Sequence, residues 1–478
     1  MTKMLGVQEE PAIYKVLLGL ANTVPLAHVT EFNPRRHSVP PADADLVSFV
    51  PMRAVTEESG HIDSEACRPW SEVKKGYTAF QNGDVIFAKI TPCMENGKFA
   101  LASALHGGRA AGSTEFHVFR AKPGLLPKYL FHFLFTPYVR RGAKRNMKGA
   151  AGQLRVPIQF FEGLRIPLPA PEEQKRVVDY LDEQLSRLDA SVAALHRVKA
   201  NLKRYRASVL KSACEGRLVP TEAELARKEG RNLESGAQLL QRVLVERRAH
   251  WRGKRAYEEP ELADVAGLPE LPSGWTWIPF GCLGVDPLNT VQTGPFGAQL
   301  HNTEFKETGV PVIAVGNLTG TGFRREGLYF VDDAKASQLS RYDVHAGDVL
   351  FARSGATLGK VCVAPHDVRD WRMTGHILRA RLNMQFILPD IAVYALAALP
   401  CVRKQIFGNV RGVTRPGFNT GLLESIFVPL PPLAEQHRIV AEADRRLSLV
   451  RMAEAQVSAN LARAQRLRQS ILQAAFSG

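Results

Sequence analysis

Cysteine is scarce in this chain, with six residues in 478: Cys67, Cys93, Cys214, Cys282, Cys362 and Cys401. None forms a CxxC pair or a Cys/His cluster with metal-ligand spacing, which excludes a zinc ribbon and a disulfide framework and predicts reduced thiols. Long hydrophobic runs are missing as well. The apolar stretch IAVYALAAL, Ile391 to Leu399, stops well short of a membrane span, and the first residues lack the apolar core and cleavage site of a signal peptide. A cytoplasmic location is expected. Acid is in short supply: 47 Asp+Glu stand against 62 Lys+Arg, giving a net charge of +15 and a pI near 9.6. That balance favours a polyanionic partner.

Motifs of catalysis are also absent. GATLGK, Gly355 to Lys360, has three residues where a phosphate loop needs four, and Val361 stands where the magnesium-binding Ser or Thr belongs. Asp84 is followed by FAK and Glu95 by NGK, without the second acid that a metal-dependent nuclease uses to hold its cation. There is no Asn-Pro-Pro-aromatic segment or glycine-rich cofactor loop of an amino-methyltransferase. His132 sits in an apolar stretch and reads as a core or surface histidine. No catalytic residue, no metal site and no cofactor is therefore predicted.

What the chain does have is a repeat. PLPAPEEQKRVV, Pro167 to Val178, returns 262 residues later as PLPPLAEQHRIV, Pro429 to Val440. The register holds without a gap from Pro127 and Pro389 to Gly216 and Gly478. Upstream, NGDVIFAKI (Asn82 to Ile90) faces AGDVLFARS (Ala346 to Ser354) with small slips. A period near 260 is far longer than the roughly 20–50 residues of a solenoid unit, so the sequence predicts a duplicated two-part module. Gly83 and Gly347 read as turn glycines feeding buried strands at Val85 to Ala88 and Val349 to Ala352, with Asp84 and Asp348 as turn residues.

Neither Gly nor Pro occurs between Pro171 and Gly216 or between Pro432 and Gly478, so each stretch can be one helix of about 65 Å that needs a partner helix. Leu181, Leu185, Leu188, Val192, Leu195, Val198, Leu202, Tyr205 and Val209 form a coiled-coil seam with a local stammer. Ala443, Leu447, Val450, Val457, Leu461, Ala464, Leu467 and Ile471 form the second stripe, interrupted by Glu454. Prolines make extended entries, and Glu172, Glu173 and Glu435 sit where the helix dipole favours acid, which reads as capping. Gly216 and Gly478 read as stops. The expected boundaries are a first globular domain at 1–165, a helix region and linker at 166–260, a second globular domain at 261–427 and a second helix region at 428–478. SGWTWIPF, from Ser273, opens the second domain as TVPL, Thr23 to Leu26, opens the first.

Charge placement sharpens the polyanion reading. Val139 to Phe161 carries Arg140, Arg141, Lys144, Arg145, Lys148 and Arg155 with no acid, and the matching span Ile391 to Leu423 carries Arg403, Lys404, Arg411 and Arg415, again with none. Two such segments at equivalent places suggest two phosphate-binding surfaces. The candidate DNA contacts are Lys89, Lys98, Arg155, Arg353, Lys360 and Arg415. The duplication further predicts two equivalent hinge surfaces for partner subunits. Exposed Ile166, Val177, Val428 and Ile439 would supply their area, and Glu173, Gln174, Glu435, Gln436 and Arg438 their orientation.

The paired IPLPAPEEQKRVVDYLDEQ and VPLPPLAEQHRIVAEADRR, the paired GDVIFAK and GDVLFAR, SGWTWIPF and TGPFGAQL (Thr293 to Leu300) resemble the specificity subunits of type I restriction-modification systems. The first domain departs from them in lacking a tryptophan opening. The resemblance implies an α+β chain in which two globular α/β target-recognition domains are separated by long antiparallel coiled-coil helices, with an internal pseudo-twofold repeat. It implies a non-catalytic subunit that reads a bipartite, asymmetric site on double-stranded DNA. Its partners would be two methyltransferase subunits and restriction/translocase subunits, with no membrane. A single-chain methyltransferase or nuclease is disfavoured by the absent motifs, and a coiled-coil scaffold without a DNA role by the paired basic segments.

Overall fold

The computed structural model describes residues 22–34, 37–63, 66–150, 152–260, 265, 267–295, 297–320, 322–408 and 418–476. The chain divides into two compact units: residues 1–197 with 457–478 form unit 1, and residues 198–456 form unit 2.

Both units are built on the same strand plan. In unit 1 one four-stranded sheet runs Thr30–Phe32, Phe116–Ala121, Val85–Ala88, Phe99–Leu101, antiparallel throughout. The other runs Cys67–Pro69, Leu46–Val50, Arg109–Gly112, Thr78–Gln81, with a parallel pair between Leu46–Val50 and Arg109–Gly112. Unit 2 repeats this order. Val291–Thr293, Ile377–Ala380, Val349–Ala352 and Val361–Val363 form the antiparallel sheet. Tyr329–Val331, Val310–Ile313, Trp371–Met373 and Asp343–Val344 form the mixed one, with Val310–Ile313 parallel to Trp371–Met373. The repeat is thus one of topology, and it reaches well upstream of the gapless register.

The GDV segments show why the strands begin where they do. Gly83 and Gly347 take φ of +88° and +84°, conformations that glycine adopts at low cost, and the next four residues of each copy are fully buried. Asp84 and Asp348 close the turn by accepting from Gln81 N and His345 N, each at 2.8 Å. They also do more than the turn reading allowed. Asp84 pairs with Arg120 at 2.7 Å and Asp348 with Arg381 at 2.8 Å, so each buried carboxylate has a guanidinium to offset its desolvation.

The two Gly- and Pro-free stretches form helices of 44 residues, Pro171–Cys214 and Leu433–Phe476. Gly216 follows the first at φ +65°; Gly478 lies outside the described residues. In unit 1 Asp189 meets Arg468, and in unit 2 Arg206 meets Glu454 at 2.7 Å, so numbering rises on one helix as it falls on the other. The pair is antiparallel. Glu454, which breaks the apolar stripe, is the partner of that arginine. The seam is incomplete: Val198, Tyr205 and Leu467 are exposed. The stretch read as a link also contributes to packing, since the helix Gly236–Ala249 puts Leu239, Leu240, Val243 and Leu244 into the unit 2 core. Among the described residues no single helix is long and apolar enough to cross a membrane.

Each globular part is locked to its helix by a buried glutamine. Gln174 Oε1 accepts from Leu126 N at 2.9 Å, and its Nε2 donates to Gly124 O and Pro169 O at 2.8 and 2.9 Å. Gln436 makes the same three bonds 262 residues on: it accepts from Leu388 N at 2.8 Å and donates to Phe386 O and Pro431 O at 2.9 and 3.0 Å. The hinge prolines stand beside it because the preceding strand is held by the domain. Arg165–Pro167 pairs with Thr23–Pro25, and Phe427–Leu430 with Thr276–Pro279. TVPL and SGWTWIPF are therefore equivalent openings.

This pairing corrects the expectation for the hinge. Ile166, Val177, Val428 and Ile439 are buried rather than exposed, because the strand and the first helical turn tuck them under the domain. Glu435 is no simple cap of its own helix either. It is buried and accepts from Glu222 N at 2.8 Å and Trp275 Nε1 at 3.0 Å, and burial pushes its carboxyl above the usual range. The Glu222 carboxylate in turn lies between Arg231 at 2.5 Å and Arg438 at 2.6 Å. Burial would raise its pKa, but the two guanidiniums outweigh that and hold it below the usual range. His132 is a buried histidine bonded to Asp182 at 3.3 Å, in keeping with its bland reading.

Replacing Gln174 or Gln436 by Leu strands an N–H and two carbonyls out of water. Calorimetric unfolding is expected to show a loss of about 2–3 kcal/mol for either change, against well under 1 kcal/mol for the solvent-facing Gln469→Leu. Glu222 has a folded pKa below its unfolded value, so its contribution is complete above the unfolded pKa and disappears as pH falls through the folded one. Thermal midpoints recorded from neutral to acid pH should therefore fall less steeply for Glu222→Gln than for the parent chain.

Candidate nucleic-acid interface

The end of the buried GDV strand is where each unit gathers its candidate phosphate contacts. In unit 1 Lys89 follows Val85–Ala88. Its N–H donates to Glu115 O at 2.9 Å, and its carbonyl accepts from Val156 N at 2.8 Å. Three distant segments, around residues 89, 115 and 155, therefore converge. In unit 2 the same bonds recur: Arg353 N donates to His376 O, and Phe418 N donates to Arg353 O, both at 3.0 Å. Lys89 and Arg353 are structural equivalents, one cation at the same strand end in each copy.

Their surroundings differ. Arg155 lays its guanidinium on Glu115, with Nε and Nη2 at 2.9 and 2.8 Å from the two carboxylate oxygens. The Arg155 hydrogen bonds hold the Glu115 carboxyl below the usual carboxylate range, with Lys89 adding to the effect. His117, buried beside them, donates its Nε2–H to Val156 O at 2.8 Å, and burial pushes its imidazole down. In unit 2 Arg353 Nη1 donates to Thr293 Oγ1 at 2.9 Å, and Ser354 Oγ lies 2.9 Å from His376 Nδ1. Burial also lowers the Arg353 pKa, the mark of a guanidinium partly stripped of water.

The other candidates are scattered. Lys98 points its ammonium at Val55 O, 3.1 Å, and Met52 O, 3.4 Å, closing the turn Met52–Ala54. Lys360 lines a cleft of unit 2 between the hairpin at Thr319 and the helix residues Lys203 and Arg206. Arg415 and Arg411 lie outside the described residues. Of the hinge candidates, Gln174, Gln436 and Glu435 spend their polar atoms inside the chain, whereas Glu173 and Arg438 are half-buried and still reach solvent.

The acid-free segments are acid-free only in sequence. Arg140 pairs with Glu58 at 2.6 Å, Lys144 with Glu95 at 2.6 Å and Arg155 with Glu115 at 2.8 Å, so acids 40 to 82 residues upstream neutralise part of the first one. Arg141, Arg145 and Lys148 stay exposed. A window along the chain could not reveal Glu115 or Glu58, since only sheet and hairpin closure bring them there. Asp343, His345 and Asp370 place ligand atoms within 4.8 Å of one another, but Arg379 sits on Asp343 at 2.7 Å. Its guanidinium already supplies the positive charge that a cation would bring.

Comparison with known proteins matches this architecture. The family profile of the type I restriction modification DNA specificity domain matches residues 59–203 and 297–445, one stretch beginning in each unit. The type I restriction enzyme EcoAI specificity subunit of Escherichia coli is 25% identical over 467 residues, covering 88% of this chain and 76% of that protein. The EcoEI specificity subunit, also of Escherichia coli, is 26% identical over 472 residues, 87% of this chain and 76% of that one. A chain from a solved structure on complex assembly and conformational transition of the type I R-M system superposes with a TM-score of 0.62 at 21% identity, covering 96% of this chain and 97% of its own. With two matched stretches spanning more than half its length and a strand plan written twice, the chain belongs to the type I restriction modification DNA specificity domain family.

Proposed function

We propose that this chain is the sequence-recognition subunit of a type I restriction-modification complex in the cytoplasm, binding a bipartite, asymmetric site on double-stranded DNA and carrying no catalysis of its own. The observation that carries this reading is the duplicated strand end with a cation at each copy, Lys89 in unit 1 and Arg353 in unit 2, in a family of DNA specificity domains. Residues 1–165 and 261–427 would be the two recognition modules. Because the two corners share a backbone plan and differ in side chains, each would read a different half-site: phosphate contacts fix register, and other side chains reach base edges.

The proposed phosphate contacts are Lys89, Arg155, Arg353 and Arg415, together with exposed Arg141, Arg145 and Lys148. Lys98 is committed to a turn. Arg155 is held by Glu115, so it reaches a phosphate by exchanging one anion for another. For docking, the buried hinge residues leave Glu173 and Arg438 as proposed orienting groups. The exposed apolar residues of the long helices, Val198, Tyr205, Leu449, Met452 and Leu467, would supply area. Two joints of one design fit two methyltransferase subunits, to which restriction/translocase subunits add.

If about six phosphates are contacted, log K against log salt should fall with a slope near −5 on mixed-sequence duplex DNA, and Arg155→Ala should make the slope shallower. Glu115→Gln releases Arg155 and removes a negative charge, so it should tighten non-specific binding; an unchanged slope and affinity in both variants would remove this corner from the interface. Light scattering of the chain co-expressed with its methyltransferase should give a mass of two methyltransferases per chain. A one-to-one complex at saturation would contradict the two-joint arrangement.

A further inference from the structure

Each unit carries a hairpin just after the first strand of its mixed sheet. Val55 bridges Ile62 in unit 1, and Leu318 bridges Phe323 in unit 2. The tips are built alike: Thr56 N and Oγ1 donate to His61 O at 3.1 and 3.0 Å, and Thr319 N and Oγ1 donate to Gly322 O at 3.0 and 2.8 Å. Their sequences are not alike. The unit 1 tip reads Thr-Glu-Glu-Ser-Gly-His from Thr56, whereas the shorter unit 2 tip reads Thr-Gly-Thr-Gly from Thr319. One has two carboxylates and the other has none.

In unit 1 the tip fills a basic cleft against the long helix. The Glu58 carboxylate takes both Arg140 Nη1 and Nη2, at 2.9 and 2.6 Å, and the Glu58 carbonyl accepts from Arg468 at 3.2 Å. What remains is a cavity of about 220 Å³ that includes Arg141 and Gln469. The counterparts of those two residues, 262 positions away, are Arg403 and Ala207, and in unit 2 they line a cleft of about 700 Å³. Its rim carries Lys203, Arg206, Lys211, Lys360 and Arg403, its floor is apolar at Leu358 and Ala397, and Glu454 is the one acid in its lining. Arg206 occupies the position of Arg468. It gives one nitrogen to Glu454 at 2.7 Å, and its buried Nε has no hydrogen-bond partner among the described residues.

We propose that the unit 2 cleft is a docking site for an acidic segment of a partner polypeptide, with a carboxylate side chain meeting the rim cations Lys203, Lys360 and Arg403. Unit 1 shows a hairpin-tip glutamate seated beside the equivalent long-helix arginine, Arg468; the arginine that takes its carboxylate there, Arg140, is replaced by buried Val402 in unit 2, where Arg403 and Lys360 offer the positive charge instead. Guanidinium and ammonium groups on the rim favour a carboxylate, and charge-assisted hydrogen bonds are the strong ones. The concave shape and apolar floor suit a side chain with methylene groups better than a duplex backbone, which meets proteins along convex ridges and grooves and needs no apolar base. The site does not rest on the DNA-recognition reading, but it assigns Lys360 and Arg403, which the sequence placed among the phosphate-binding groups, to a carboxylate instead.

The probe is a cyclic peptide with the unit 1 tip sequence, Val-Thr-Glu-Glu-Ser-Gly-His-Ile, titrated by calorimetry into the full-length chain. Saturable binding is expected, at least about tenfold weaker for the peptide with Gln at both Glu positions and similarly weakened by Lys360→Glu. A second variant keeps the protein folded and closes the site from within. Replacing Thr319 to Gly322 by Thr-Glu-Glu-Ser-Gly-His should abolish peptide binding and raise the thermal midpoint. Equal affinity for the Glu and Gln peptides, no saturation at about 1 mM, or undiminished binding to the grafted chain would each overturn the proposal. Displacement of the peptide by mixed-sequence duplex would overturn it too, by giving the cleft to nucleic acid.

Discussion

A buried glutamine that touches three backbone groups is the constraint on which this architecture rests. A helix that starts straight after a proline hinge has no obvious way of fixing its direction, since proline offers no N–H and the preceding strand belongs to the domain. Gln174 and Gln436 supply what is missing. Each accepts one N–H from the start of a domain helix and donates to one carbonyl of the domain loop and one of the hinge. Fully satisfied in a dry site, such a network fixes one geometry, whereas a partly satisfied one would be worse than an apolar joint. Rotating the helix start would break three bonds at once.

Around this shared clamp the two copies have diverged. Unit 2 adds a second layer, in which Trp275 and the Glu222 N–H hold Glu435 while Arg231 and Arg438 hold Glu222. At the strand ends Lys89 lies beside an Arg155–Glu115 fork, and Arg353 beside Thr293 and His376. At the hairpins Glu58 has no acidic counterpart. A duplicated frame with unlike side chains at the same positions is what reading two unlike half-sites requires, since backbone geometry sets register and side chains carry the discrimination.

Much of the frame was legible in the sequence. The 262-residue repeat, the turn glycines Gly83 and Gly347, the two uninterrupted helices and the matched openings TVPL and SGWTWIPF all follow from local chemistry. What stayed hidden depends on contacts between distant residues. The Glu-Gln pair looked like a helix cap because its partners, Leu126 and Leu388, are 48 residues upstream. Ile166 and Val428 looked exposed because nothing local shows the strand that covers them. The first basic segment looked unneutralised because Glu58, Glu95 and Glu115 arrive through the fold. Lys98 and Arg155 carry the right charge for a phosphate, yet their positions were readable only once the turn at Met52 and the carboxylate of Glu115 were seen beside them.

The central claim is that one chain carries two separate DNA-reading units on one duplicated frame. Selection of bound sequences from a randomised duplex library, using the chain in complex with its methyltransferase, tests it most directly. Two short conserved blocks of different sequence, separated by a spacer of fixed length and no sequence preference, are predicted, and Arg353→Ala should blur one block while sparing the other. A single contiguous block, or enrichment without any sequence in common, would contradict the account.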